Sequence, residues 1–175
     1  IRVAVNGYGV IGKRVAQAVA VQKDMAIAGV ADVAQDWRVR AALSRGYALY
    51  GATEEHAVAM GAAGLDVSGS LDDLLGAADI VVDCTPKHLA SKNIQTYRRL
   101  GIKYIVHGGE KHESTGHSFV AEANYASAVG RDCSRVVSCN TTSIIRTLSA
   151  LKRHGLLDRA RGTLLRRATD PWESH

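Results

Sequence analysis

The chain has 175 residues, of which 46% are hydrophobic and 22% are charged, as expected of one globular domain or of one domain and part of a second. No apolar run is long enough to span a bilayer and the first residues lack a signal-peptide pattern, so we expect a cytoplasmic protein. The net charge of +5 suits anionic ligands, but the basic residues are scattered and only 5% of residues are aromatic, so we expect no dedicated nucleic-acid site.

The elements predicted from hydrophobic periodicity alternate between strands and helices. Taken in chain order they are a strand at 2–7, a helix from Val10 to about Val21, a strand at 26–32, a mostly helical stretch at 36–63 interrupted at 46–52, a helix at 70–79, a strand at 80–85, a helix at 89–101, a strand at 103–109, a short helix from 118 to about 129, a strand at 134–139, a helix from 140 to 155 and a strand at 161–168. The strands are apolar through their length, which is typical of a parallel sheet covered on both faces. The sequence therefore predicts a doubly wound α/β fold of the Rossmann type.

A glycine-rich turn, "GYGVIG", directly follows the first strand and opens the first helix. In a dinucleotide-binding turn of this pattern Gly7 allows the tight bend, Gly9 lets a pyrophosphate approach the backbone, and Gly12 lets the helix pack closely on the strand. The N–H groups of Val10 and Ile11 would then point at the anion. A glycine turn without a ligand is the alternative interpretation, and the strand and helix around it favour the binding one.

Asp32 lies twenty positions after Gly12, at the end of the second predicted strand. A carboxylate there accepts a hydrogen bond from the adenosine ribose of NAD and repels the 2′-phosphate of NADP. Arg38 and Arg40 are close enough in sequence to offset that preference, so NAD is expected and NADP stays an alternative. Asp32 is also a common residue type for a turn at the end of a strand.

Three cysteines, Cys84, Cys133 and Cys139, include no Cys-x-x-Cys pair, so we expect reduced thiols, no disulfide framework and no metal site. Cys139 is predicted at the end of a strand and the start of a helix, where backbone N–H groups stabilise a thiolate or an oxyanion. A packed, inert thiol is an equal alternative on position alone. Cys84 fits that inert role better, and Cys133 is predicted in a loop beside Asp132 with no chemical role.

Five motifs resemble the archaeal type of phosphorylating glyceraldehyde-3-phosphate dehydrogenase in their order and spacing. They are "VNGYGVIGKRVA" near the start, "VVDCTP" at 81–86, "GGEK" at 108–111, "VVSCNTT" at 136–142 and "RRATDP" at 166–171. The resemblance covers the whole chain and stops about halfway through such an enzyme, so we expect a piece of a longer protein. It implies an NAD(P)-binding domain at 1–138 and, at 139–175, the first helix and strand of an incomplete α+β catalytic domain.

Site residues follow from this resemblance position by position. It implies that Cys139 is the nucleophile, with Ser138 and Asn140 beside it at the substrate. It also implies that Gly109 and Arg167 contact the cofactor, together with the glycine turn and Asp32. The general-base histidine is expected beyond residue 175.

The implied reaction is the oxidation of glyceraldehyde 3-phosphate, with inorganic phosphate, to 1,3-bisphosphoglycerate through a cysteine thioester, in a homotetramer when the protein is full length. An acylating dehydrogenase of the aspartate-semialdehyde type and a non-catalytic dinucleotide-binding module are the two alternatives. "SCNTT" and "GGEK" favour the glyceraldehyde-3-phosphate type over the aspartate-semialdehyde type. A thiol at a helix start disfavours the pure binding module.

Overall fold

A computed structural model of the chain describes residues 1–86, 88–107 and 109–165. Its described residues form seven strands, which are β1 (Arg2–Asn6), β2 (Ala26–Asp32), β3 (Leu49–Gly51), β4 (Ile80–Asp83), β5 (Lys103–Val106), β6 (Ser118–Phe119) and β7 (Cys133–Val136). The same residues form seven α-helices, which are α1 (Val10–Ala20), α2 (Trp37–Leu43), α3 (Glu54–Ala62), α4 (Leu71–Gly76), α5 (Ala90–Leu100), α6 (Ala121–Ala128) and α7 (Cys139–Arg153).

The strands form one sheet in the order β3-β2-β1-β4-β5-β7-β6, and each neighbouring pair is parallel. From β1 the chain proceeds outward to β2 and β3, and it then returns to place β4 on the other side of β1. This reversal creates a crevice at the carboxyl ends of β1 and β4, which is where ligands bind in open parallel sheets. The predicted Rossmann-type architecture is confirmed.

Alternate residues of the central strands bury two separate hydrophobic clusters on the two faces of the sheet. On one face Ala4 and Val81 pack with the buried leucines of α4 and with Ile94 and Tyr97 of α5. On the other face Val5 packs with residues of α1, α2 and α3. Because successive side chains of a strand point to opposite faces, a strand buried on both sides has no solvent-facing position, which explains why the inner residues of β1, Val3 to Val5, are all apolar.

Local sequence signals set where the helices begin and end. Ser70 and Asp73 form a capping box at the start of α4, in which each side chain is paired with the backbone of the other residue. Gly101 ends α5 in the left-handed conformation, with φ of 66°. Both ends agree with the sequence prediction.

The predicted elements are confirmed in type and order up to residue 106, and two later predictions were wrong. Residues 118 and 119, predicted as helix, form β6, because they pair with Arg135 and Val136 of β7 at the edge of the sheet. Cys133, predicted in a loop, is the first residue of β7, and its Sγ lies 3.5 Å from the carbonyl oxygen of Thr115. A strand of two residues is too short to show a period in the sequence.

The last predicted strand, at 161–168, is absent from its first five residues, which are the ones that the structure describes. Residues 161–165 have no regular secondary structure, and 166–168 lie outside the described residues. The preceding helix is confirmed as α7, which contacts α6. The predicted domain boundary lies in the connection between β7 and α7 and stays a prediction.

A buried histidine joins β6, α6 and β7. His117 is 6% exposed, and its Nδ1 and Nε2 lie 2.8 Å and 2.9 Å from the hydroxyl oxygens of Ser134 and Ser127. Burial, together with nearby positive charge, lowers the pKa of His117 below its usual value. The neutral ring is therefore part of the folded structure at this edge of the sheet.

Candidate functional site

An open cleft of about 1410 Å³ lies at the carboxyl edge of the sheet. Its floor includes Val82 of β4 and Ile105 of β5, one wall includes Ile11 of α1, and the opposite wall is the face of α7 that begins at Cys139. The cleft is therefore bounded by the glycine turn on one side and by the candidate nucleophile on the other.

The glycine turn has the geometry that its sequence predicts. Gly7 has φ of +92°, and a methyl group on it would lie 2.9 Å from the carbonyl carbon of Cys84. A methyl group on Gly12 would overlap the carbonyl oxygen of Gly7, so α1 can approach β1 closely only with glycine at this position. A methyl group on Gly9, in contrast, meets no described atom within 4 Å, so the space in front of the turn is open.

The first turn of α1 presents unpaired backbone donors to that space. The first N–H groups of a helix have no acceptor within the helix, and Gly9, the N-cap, has no side chain with which to cap them. Val10 and Ile11 are 71% and 50% exposed, which leaves the turn accessible. Donors of this kind, at the positive end of a helix dipole, form an anion site.

Asp32 is held at the end of β2 by backbone donors. Its Oδ2 accepts the N–H of Tyr8 at 2.6 Å, and its Oδ1 accepts the N–H groups of Val33 and Ala34, both at 2.8 Å. The carboxylate thus ties the glycine turn to the loop after β2. This is the turn role that the sequence left open, and the predicted role of Asp32 as the partner of the adenosine ribose stays a prediction.

Cys139 is the first residue of α7 and is exposed. Ser138 caps the helix: its hydroxyl oxygen accepts the N–H of Thr141 at 3.2 Å and lies 2.9 Å from the Thr141 hydroxyl. Ser138, Cys139 and Asn140 all line the cleft. The helix start that the sequence predicted is confirmed, whereas the strand before it, β7, ends at Val136 rather than at Cys139. The exposure of the thiol disfavours the packed alternative, and the role of Cys139 as nucleophile stays a prediction.

Cys84 is a half-buried thiol. It follows β4, and its Sγ lies 2.9 Å from Nε2 of His107, which follows β5 and lines the cleft. Burial, with a smaller contribution from the charge of Asp83, raises the pKa of Cys84 to about 12. The Cys84 thiol therefore stays protonated at neutral pH, which agrees with the inert role predicted for it.

Cationic and acidic residues in the cleft were not singled out from the sequence. Arg135 donates to the Glu110 carbonyl oxygen at 2.8 Å and to the Ser118 hydroxyl at 2.8 Å. Arg153 forms an ion pair with Glu122 at 2.8 Å. Arg146 also lines the cleft and, among the described residues, has no ion pair. Helical spacing from Cys139 contained the signal for Arg146 and Arg153, because positions seven and fourteen residues later lie on the same face.

The other predicted site residues are distributed as follows. Gly109, with φ of +97°, lines the cleft near Cys139. Asp32 lies at the far end of the glycine turn, beside the loop after β2. Arg167 lies outside the described residues, as does His175. Across the described ranges the structure contains no group of three or more His, Cys, Asp or Glu side chains arranged to hold a metal ion.

A protein-family model described as "Dihydrodipicolinate reductase, N-terminus" matches residues 1–141. The chain belongs to that family. The matched residues contain the whole sheet and the glycine turn, so membership of the dihydrodipicolinate reductase N-terminus family corresponds to the nucleotide-binding fold. The match ends just after Cys139, and it covers little of the α7 wall.

Curated relatives extend the similarity past that point and confirm the resemblance seen in the motifs. The chain is 48% identical, over 98% of its length, to a glyceraldehyde-3-phosphate dehydrogenase from Methanothermobacter thermautotrophicus, and 47% identical, over 99% of its length, to one from Thermococcus kodakarensis. It covers 51% and 52% of these two proteins. The chain thus spans about half the length of the curated relatives that it matches.

Among solved structures, an NAD-binding protein from Listeria innocua has a similar fold. The TM-score is 0.51 at 16% sequence identity, and the alignment covers 87% of this chain and 40% of that one. At this identity the likeness concerns the fold alone, and it agrees with a Rossmann-like NAD-binding architecture. No helix among the described residues is long and apolar enough to cross a membrane.

Proposed function

We propose that the chain is the cofactor-binding and nucleophile-bearing part of an NAD(P)-dependent dehydrogenase. Its reaction is the phosphorylating oxidation of glyceraldehyde 3-phosphate to 1,3-bisphosphoglycerate. The observation that carries the proposal is that Ile11 of the glycine turn and Cys139 line one cleft. A thiol and a dinucleotide site on opposite walls of one cleft are what thioester-forming aldehyde oxidation requires.

The residues at the glycine turn fit a dinucleotide. The space in front of Gly9 is open, and Gly9 leaves the first N–H groups of α1 without a side-chain cap. These donors hold the pyrophosphate, and Asp32 takes the adenosine ribose. Gly109 lines the same cleft as Cys139, which supports a place for it beside the nicotinamide. The bound cofactor supplies a hydride acceptor.

Cys139 carries the covalent chemistry. Its sulfur adds to the aldehyde carbon, and the carbonyl oxygen takes a proton to give a hemithioacetal. Loss of a hydride from that carbon and of the hydroxyl proton leaves a thioester. An oxygen of inorganic phosphate then attacks the thioester carbon, the thiolate leaves, and 1,3-bisphosphoglycerate is released. Ser138 and Asn140 flank Cys139 and line the same cleft, which supports their contact with the substrate.

Cationic side chains of the cleft suit the phosphorylated substrate and inorganic phosphate. Arg146 is about two helical turns along α7 from Cys139, on the same face, and is free of ion pairs within the described residues, so its guanidinium is available to an anion. Arg135 is held in place by Ser118 and the Glu110 backbone. The general base is a histidine beyond residue 175, and the active form is a cytoplasmic homotetramer.

Enzyme assays on the gene product that contains this chain test the proposal. We expect NAD or NADP reduction with glyceraldehyde 3-phosphate that requires inorganic phosphate, and no comparable rate with aspartate semialdehyde. Cys139→Ser should lower kcat by at least about a thousandfold, as expected for loss of a covalent nucleophile. Cys133→Ser, at a thiol outside the cleft lining, is the matched control and should keep the rate.

Mass spectrometry adds a direct readout of the covalent step. When phosphate is omitted, the acyl group should remain on Cys139 and raise the mass of the peptide that carries it. Full activity of the Cys139→Ser variant, or an acyl group found on another residue, would refute the assignment. Dinucleotide binding without any aldehyde oxidation would favour the non-catalytic binding module instead.

A further inference from the structure

The loop after β2 carries the charges that decide which dinucleotide fits. We define the β2–α2 corner as Lys13, Asp32, Asp36, Trp37 and Arg38. In a Rossmann-type site this corner faces the 2′ position of the adenosine ribose, which is a hydroxyl in NAD and a phosphate in NADP. The inference below rests on the proposed function, because it assumes that the glycine turn binds a dinucleotide.

Asp32 is the first determinant, and its position is fixed. Three backbone N–H groups, those of Tyr8, Val33 and Ala34, hold its two carboxylate oxygens at 2.6 to 2.8 Å. A carboxylate held in this way cannot rotate away from an incoming 2′-phosphate. It therefore repels that phosphate, whereas a ribose hydroxyl can donate to its remaining lone pairs.

Arg38 is the cation that could offset this repulsion, but Asp36 holds it. The Nε of Arg38 lies 3.0 Å and 2.9 Å from the two oxygens of Asp36, and one terminal nitrogen lies 2.6 Å from Oδ2. This fork-to-fork pairing uses the guanidinium edge that would bind a phosphate. The pairing lowers the pKa of Asp36 and raises that of Arg38, so both remain charged at neutral pH.

The other nearby cations are also engaged. Arg40 points away from the corner, with a terminal nitrogen 3.3 Å from the carbonyl oxygen of Ala63. Lys13 lies over the ring of Trp37, with Nζ 4.2 Å from the ring centroid. The corner thus contains two cations and two carboxylates, and it has no net positive charge with which to attract a second phosphate.

We propose that Asp36 is a specificity-determining residue, which adds to the preference for NAD expected from Asp32 because it withholds Arg38 from the 2′-phosphate. Asp32 rejects the phosphate directly, and Asp36 removes the cation that would compensate. Asp36 has no need to touch the cofactor to act in this way. The two carboxylates therefore contribute separately to one preference.

Asp36 can be neutralised without losing its structural role. Its Oδ1 caps α2 by accepting the N–H of Arg38 at 2.9 Å. Asparagine and serine cap helices about as well as aspartate, so Asp36→Asn and Asp36→Ser keep the cap and remove the charge. The double variant Asp36→Asn with Arg38→Ala then shows whether any gain depends on the freed guanidinium. Arg40→Ala removes an equal charge that faces elsewhere and is the control.

Isothermal titration calorimetry of NAD and NADP, at about 0.1 M salt, measures the preference as a ratio of dissociation constants. We expect the unmodified chain to bind NAD at least about tenfold more tightly than NADP. Asp36→Asn and Asp36→Ser should strengthen NADP binding by about two- to fivefold, as suits a solvent-exposed ion pair, and leave NAD binding unchanged. The double variant should lose this gain, and Arg40→Ala should leave the ratio unchanged.

Three results would overturn the inference alone: NADP binding within about threefold of NAD binding, an unchanged ratio in both Asp36 variants, or a gain that survives the loss of Arg38. Binding of neither dinucleotide by the unmodified chain would overturn this inference together with the cofactor site of the proposed function. The two failures are therefore distinguishable by whether NAD binds.

Discussion

Replacing Tyr97 with phenylalanine removes one oxygen from a buried network at the end of β4. The Tyr97 hydroxyl donates to Oδ2 of Asp83 at 2.7 Å and accepts from Nδ2 of Asn6 at 2.8 Å. All three residues are at most 2% exposed. Burial and the neighbouring Asp83 raise the pKa of Tyr97, so its hydroxyl remains a donor at every physiological pH.

The expected loss follows from what stays unpaired. Asp83 keeps three donors, the Thr85 N–H and hydroxyl and the Asn93 amide, so it loses one charge-assisted hydrogen bond, which contributes about 1.5–3 kcal/mol. The Asn6 amide loses its acceptor in a site that water does not reach, at a further cost of about 1 kcal/mol. We therefore expect the free energy of unfolding to fall by about 2.5–4 kcal/mol.

Urea unfolding, followed by circular dichroism, measures this loss from the transition midpoint and slope. Tyr125→Phe is the matched control, because Tyr125 is 66% exposed, and its expected change is within about 0.5 kcal/mol. A loss below about 1 kcal/mol for Tyr97→Phe would refute the reasoning, since a single buried hydrogen bond already contributes that much.

The same network reaches the proposed cofactor site. Oδ1 of Asp83 holds both the N–H and the hydroxyl of Thr85, whose backbone nitrogen lies 3.0 Å from the position that a methyl group on Gly7 would take. A loosened Asp83 therefore also loosens the segment beside the glycine turn. We expect Tyr97→Phe to weaken NAD binding severalfold as well as to lower stability.

Three further predictions concern the glycine turn, the buried histidine and the thiols. Gly12→Ala should destabilise the fold by about 1–3 kcal/mol and abolish NAD binding in calorimetry, because the added methyl group overlaps the backbone of the turn. The control Gly61→Ala adds a methyl group in open space on α3 and should stabilise the fold by up to about 1 kcal/mol. Since the pKa of His117 is lowered in the folded state, the unfolded chain takes up the proton first, near pH 6.5, and the free energy of unfolding should fall as the pH drops through that value. The urea midpoint should therefore change less between pH 7.5 and 5.5 in His117→Gln than in the unmodified chain, and an equal change in both would contradict this. Iodoacetamide at neutral pH should alkylate the exposed Cys139 at least about tenfold faster than Cys84, whose pKa is raised to about 12, and peptide mass spectra showing equal rates would contradict the assignment.

Much of the fold was predictable because its signals are local. The turn at Gly7, the capping box at Ser70 and the glycine end of α5 each depend on residues within a few positions of one another. Strand and helix periods are also short-range properties, so the alternation that defines a parallel sheet is visible in the sequence. The two-residue strand β6 was missed because its formation depends on pairing with β7, which lies some fifteen residues later.

The candidate site was predictable only in its separate parts. The glycine turn and Cys139 could each be assigned from neighbouring residues, but the single cleft that they line exists because β1, β4, β5 and β7 end at one edge of the sheet. Likewise, Arg38 and Arg40 look equivalent in the sequence. The structure shows that Arg38 is held by Asp36, whereas Arg40 is held by the carbonyl oxygen of Ala63 at the end of α3. It also shows that the Cys84 thiol contacts His107.

The amino-acid sequence by itself thus determined most of the element types, two helix ends, the glycine turn and the position of Cys139 at a helix start. The tertiary structure decided which walls face each other, which distant charges are paired and which thiol is exposed. The physical reason is range: backbone conformation, periodicity and a local ion pair such as Asp36–Arg38 are set by near neighbours, whereas burial and an ion pair such as Glu122–Arg153 are set by segments that only packing of the whole sheet brings together.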